Sequence, residues 1–175
     1  MREFVWNILL VVDDSEIADR ASECVIDLAL SGLKAKVNLY YVKDDEPVAL
    51  PSEELERKKM LPIVSRANKK LLDVAEKLRT AGVDYDILGY HIGIADEAIR
   101  RVEKEFKPDL IVIGVDKKGA LKKIFAGNAE QKIVFDTDAP VVVVKPKYTP
   151  KIKELIKEIP VIEVREMSAI TQEEL

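Results

Sequence analysis

Two kinds of apolar pattern alternate along this chain. Ile8-Leu9-Leu10-Val11-Val12 is apolar at every position, as a parallel strand covered on both faces requires. The run from residue 5 stops at Asp13-Asp14-Ser15, where either Asp14 or Ser15 is suited to capping a helix. Ala18, Ala21, Ser22, Val25, Leu28 and Ala29 then recur at helical spacing, and Gly32 marks the end. Residues 36–43 predict a second strand, with Tyr40 and Tyr41 on opposite faces.

The alternation repeats. Residues 44–51 form a polar, proline-bearing loop, and Ser52-Glu53-Glu54 opens a helix with acid in its first turn. Pro62 is expected to kink or restart that helix, because it has no N–H and clashes one turn back. Val64, Ala67, Leu71, Val74, Ala75 and Leu78 make one stripe, closed by Gly82. Residues 83–91 predict a third strand, more weakly patterned. A helix follows, burying Ala95, Ala98, Ile99, Val102 and Phe106 and ending at Pro108. Residues 109–114 and 140–145 predict the fourth and fifth strands, with a helix over 128–135 between them. Such alternation predicts an α/β fold with a parallel sheet and right-handed crossovers.

Beyond Pro146 the pattern changes. Residues 151–158 suit a short helix with Ile152, Leu155 and Ile156 on one face, and residues 161–165 suit an edge strand. The polar residues 168–175 read as a frayed end. The division expected is one domain over 1–147 and a C-terminal extension over 148–175.

Composition narrows the classes. With 175 residues, 47% hydrophobic and 34% charged, the chain reads as one soluble globular domain with a modest tail. A net charge of −4 argues against a nucleic-acid partner recognised through overall basicity. Cys24 and His91 are the only cysteine and histidine, which removes a disulfide framework and cysteine/histidine zinc sites. Cys24 reads as a small core residue and His91 as a partly exposed structural one. No apolar run approaches the ~20 residues of a membrane helix, and no signal-peptide pattern opens the chain. The expected location is cytoplasmic, with no membrane partner.

Candidate chemistry concentrates where the fourth strand ends. Ile111-Val112-Ile113 reaches Gly114, then a loop carrying Lys117, Lys118, Lys122 and Lys123, then Gly127-Asn128 at the head of the next expected helix. Open α/β sheets bind ligands at the carboxyl edge of their strands. A helix start there offers unpaired N–H groups and the positive end of its dipole to a phosphate. Glycine lets backbone approach a ligand closely. The same residues also suit a plain turn with a solvated lysine face.

The order of Asp13 ending the first strand, Gly93-Ile94-Ala95-Asp96-Glu97-Ala98-Ile99 entering a helix, the stretch from Gly114 to Asn128, and the closing Ala139-Pro140-Val141-Val142-Val143-Val144 resembles the universal stress protein family. The resemblance covers about residues 3–147. It implies an open five-stranded parallel sheet in the order 3-2-1-4-5 with helices on both faces, of the adenine nucleotide alpha hydrolase-like kind. Carried over by position, Asp13 would face a ribose, Val42 an adenine, and Gly114, Gly127 and Asn128 the phosphates. The family pattern has a glycine, two residues, a second glycine, nine residues, then a glycine followed by serine or threonine. Here Lys117 stands at the second glycine and Asn128 at the hydroxyl residue. Asn128 keeps N-cap capacity, whereas Lys117 fills space the glycine leaves open, so it either blocks a triphosphate or holds a smaller phosphate.

The resemblance implies a dimeric stress-response regulator or partner-binding protein, pairing through its last strand, with a degenerate adenine-nucleotide site for ATP or AMP. Magnesium would accompany a triphosphate only; no protein metal site and no catalytic residue are assigned. The alternatives are a slow ATP-hydrolysing or adenylyl-transferring enzyme in the same crevice, or an assembly platform that binds no nucleotide and uses its tail to clasp a second subunit.

Overall fold

The computed structural model describes residues 4–44, 52–115 and 136–151. Within them the chain forms β1 (Trp6–Val12), α1 (Glu16–Leu30), β2 (Ala35–Asp44), α2 (Glu53–Thr80), β3 (Asp84–Gly93), α3 (Ala95–Phe106), β4 (Leu110–Gly114) and β5 (Val141–Val144). All four strand pairings are parallel and the sheet order is β3-β2-β1-β4-β5, the order expected. The helix expected over 128–135 and most of the extension lie outside the described residues.

The unalternating apolar runs follow from this layering. Ile8, Leu10 and Val12 of β1 point to the face covered by α1 and α2, where they meet Val25, Leu71, Val74 and Leu78. Leu9 and Val11 point to the other face, against Ala95, Ala98 and Ile99 of α3. A strand buried on both sides cannot tolerate a polar stripe on either. The outer strand β3 carries little of this pattern because most of its residues are exposed or half-buried. Its ladder with β2 also slips between Leu39 and Tyr40, leaving Leu88 opposite no partner, and Gly89 there takes φ +119°. A bulge with glycine at positive φ explains why alternation along this strand is hard to read.

Helix α2 runs unbroken from Glu53 to Thr80 with Pro62 inside it, so of the kink or restart expected at Pro62 the restart does not occur. Residues 52–62 are all exposed and burial begins at Ile63. The Lys58 carbonyl that loses its partner to Pro62 therefore faces solvent, where the loss costs least. Phe106 is 39% exposed rather than buried. It is the last residue of α3, level with the start of β1, with its carbonyl accepting from the Asn7 side chain at 3.1 Å. Glu103 is buried instead, accepting the Ala139 N–H at 2.8 Å and so tying α3 to the approach of β5.

Helices α1 and α2 are fastened by charge as well as by packing. The Asp19 carboxylate accepts from Lys70 and from Lys77, each at 2.8 Å. Burial by itself would raise this carboxyl, but the two ammonium hydrogen bonds outweigh it and hold Asp19 below its ordinary value of 3.8. A depressed native value stabilises the fold fully above that ordinary value, and the contribution is lost as pH falls through the native one. Asp19→Asn should accordingly cost about 1 kcal/mol at neutral pH, a modest figure because the pair is part-exposed. It should also flatten the acid limb of a urea-midpoint profile against pH, and identical acid limbs would contradict the assignment.

Candidate functional site

The carboxyl edge between β1 and β4 is where strand order reverses, since β2 and β3 lie on one side of β1 and β4 and β5 on the other. Open α/β sheets bind their ligands at such a switch point, outside the carboxyl ends of the strands. Asp13, the first residue after β1, stands at that point and is 1% exposed. Its Oδ1 accepts the Ser15 N–H at 2.9 Å and also the Ser15 hydroxyl. Its Oδ2 is buried with no hydrogen-bond partner among the described residues. An unmet buried carboxylate oxygen is costly, and such a group in a cleft calls for a donor.

Ser15 takes the N-cap position of α1, but its side chain makes no cap hydrogen bond, because its hydroxyl is donated backwards to Asp13. Asp14 does not cap either; it lies 3.8 Å from Arg66. The Asp-Asp-Ser sequence is thus spent on orienting Asp13 and on an ion pair to α2.

Sheet register places the neighbours. Val11 pairs with Tyr40 and Val12 with Tyr41, so the next step sets Asp13 beside Val42. On the other side Val11 pairs with Ile113, and two further steps set Asp13 beside Val115. Val42 is fully buried and Val115 partly so, both packed in the cluster on the α3 face. Asp13 and Val42 therefore lie side by side in register. Val115 was not singled out in the sequence; the alternation that turns Ile113 toward α3 turns Val115 the same way, and counting by twos along β4 finds it.

Gly114 belongs to the opposite face. A Cβ built on it would lie 2.5 Å from the Ile17 carbonyl oxygen and 2.8 Å from its carbon, so a bare backbone here lets the first turn of α1 close onto β4. That packing accounts for the glycine with no ligand present. Lys117, Gly127 and Asn128 lie outside the described residues.

Tyr41, also on the α1 face, is fully buried. Among the described residues its hydroxyl has no partner in hydrogen-bond geometry, and burial first, then the nearby Asp14 carboxylate, push the phenol above its ordinary range. Tyr40 packs on the α3 face. His91 is half-buried, with Nδ1 3.3 Å from Arg101; burial, reinforced by the Arg101 charge, lowers its pKa. Cys24 is partly buried against the core on α1. No cluster of carboxylates, histidine and cysteine fit for a metal ion occurs among the described residues, and no described helix is long and apolar enough to cross a membrane.

The sequence model of the universal stress protein family matches residues 6–145. The chain belongs to the universal stress protein family. The universal stress protein MJ0531 of Methanocaldococcus jannaschii is 31% identical over 148 residues, covering 79% of this chain and 81% of that one. A Thermus aquaticus universal stress protein is 32% identical over 147 residues, covering 79% of this chain and 98% of the other. Among solved structures, the protein MJ0577 superposes with a TM-score of 0.65 at 28% identity, covering 82% of this chain and 97% of that one. A universal stress protein from Arabidopsis thaliana with AMP bound shares the fold at a TM-score of 0.53 and 17% identity, over 80% of this chain and 91% of that one.

Proposed function

We propose that this universal stress protein is a cytoplasmic, homodimeric regulator that binds an adenine nucleotide, AMP before ATP, in the crevice at the carboxyl edge of β1 and β4. The observation that carries the reading is the buried Oδ2 of Asp13, which has no hydrogen-bond partner among the described residues. A ribose hydroxyl is the donor it fits, since an O–H donates to a carboxylate oxygen and is small enough for a strand-end cleft. Val115, partly buried on the same face, offers apolar surface for a base, and Val42 lies fully buried beside Asp13 in register. The phosphate would run toward the segment after Gly114, held by Lys117, Gly127 and Asn128, with Lys117 favouring a monophosphate over a triphosphate with its magnesium. A bound AMP is said of the Arabidopsis relative, and the chemistry of Asp13 makes the same ligand the first to try here. Regulation follows from occupancy, with no catalytic group assigned. Calorimetric titration with AMP, ADP and ATP tests the reading: AMP should give a saturable heat, and no heat at millimolar concentration from any of the three would remove it.

The dimer is argued from the edge of the sheet. Among the described residues β5 pairs with β4 alone. The carbonyls of Pro140 and Val144 accept from Ile111 and Val115, so the alternate residues Val141 and Val143 turn their backbone groups outward. An unpaired outer edge is a template for a second strand. Val143→Pro removes an outward N–H while sparing the ladder to β4. It should convert the dimer to a monomer by multi-angle light scattering; an unchanged dimer mass would count against pairing through β5.

A further inference from the structure

At the amino edge of the sheet, opposite the crevice, lies an open groove of about 400 Å³. Val5, Leu30, Leu33, Ala81 and Val83 line it with Lys34. Its apolar wall is poorly covered, Leu30 being 53% and Val5 51% exposed. The half-exposed Leu30 and Val5 leave apolar surface that further apolar side chains can cover.

The chain leaving β5 runs toward it. Arg20 donates to the carbonyls of Pro146 and of Tyr148, the latter at 2.9 Å. The Tyr148 hydroxyl donates to Asp27 Oδ2, and the Lys151 N–H donates to the same oxygen at 2.8 Å. Residues 146–151 therefore travel along α1 from Arg20 to Asp27, about 10 Å at the helical rise, toward the C-terminal end of that helix. Leu30 is the next residue on this stripe, three positions beyond Asp27 and only about 4.5 Å further along. The Tyr148 ring packs against the core on the way, and burial together with the Asp27 hydrogen bond pushes its phenol up.

The sequence beyond Lys151 matches the groove. Ile152, Leu155, Ile156 and Ile159 stand three, four and seven apart, with Lys153, Glu154, Lys157 and Glu158 between them, which as a helix is one apolar stripe backed by charge. We propose that the segment 152–159 of this same chain docks its apolar stripe into the groove formed by Val5, Leu30, Leu33 and Val83, closing the amino edge of the sheet and leaving the crevice at the carboxyl edge free. The occupant is intramolecular because Asp27 already delivers Lys151 to within one helical turn of Leu30.

Hydrogen exchange read by mass spectrometry on the full chain tests this. In Leu155→Asp, peptides covering residues 29–35 and 81–84 should exchange roughly tenfold faster than in the parent chain, while peptides of β1 and β4 keep their rates. Leu30→Asp should reciprocally speed exchange over 152–159. Unchanged rates over 29–35 and 81–84 in Leu155→Asp would overturn the proposal, as would protection there that grows with protein concentration, the mark of a second copy in the groove.

Discussion

Asp13→Asn is expected to weaken AMP binding by at least about tenfold while leaving the fold nearly as stable. The amide keeps an oxygen for the Ser15 N–H and hydroxyl that Oδ1 now serves, so the turn into α1 survives. What it loses is the acceptor presented by Oδ2, because an amide NH2 in that place only donates. A hydrogen bond to a charged group is worth about 1.5–3 kcal/mol, against roughly 0.5–1.5 kcal/mol for a neutral one, and each 1.4 kcal/mol is tenfold in affinity. Calorimetry on the two proteins, beside their urea midpoints, separates binding from stability. Equal AMP affinity would mean that Asp13 only shapes the turn.

Gly114→Ala is expected to destabilise the protein by about 1–3 kcal/mol with no nucleotide present. The added Cβ would meet the backbone of Ile17 at 2.5 Å, and a helix turn cannot yield as the end of a flexible side chain can. Either α1 lifts from β4, uncovering Val12 and Val112 in the core, or β4 shifts away from β1. Chemical denaturation should show a lower midpoint with an unchanged slope. An unaltered midpoint would leave the glycine to be explained by ligand approach alone.

Gly114 also shows where sequence reading reached its limit. A glycine ending a β-branched run at a carboxyl edge is compatible with a phosphate contact, a turn and a close helix approach, and only the position of Ile17 distinguishes them. Asp13 is similar: its type and place were legible, since an acidic residue directly after a buried strand stands out, but its division into one satisfied and one unsatisfied oxygen depends on Ser15 turning its hydroxyl backwards. Strands β1, β2 and β4 were legible because burial on both faces leaves a plain apolar signature. Strand β3 was weaker because an outer strand with a bulge at Leu88 and Gly89 need not keep one. At Pro62 the sequence left a kink or a restart open, since the penalty depends on solvent access to one carbonyl and local sequence carries no record of that. The turn of residues 146–151 back along α1 rests on Arg20 and Asp27, more than a hundred positions away, and no local pattern announces such pairs.

Whether Asp13 holds a nucleotide by its ribose is decided most directly by electron density from a crystal of this protein grown with AMP. Density for the nucleoside is expected in the crevice, with a ribose hydroxyl within hydrogen-bond distance of Asp13 Oδ2 and the base against Val115. AMP bound elsewhere, or a crevice that stays without nucleoside density under saturating AMP, would overturn the assignment of Asp13 to the ribose.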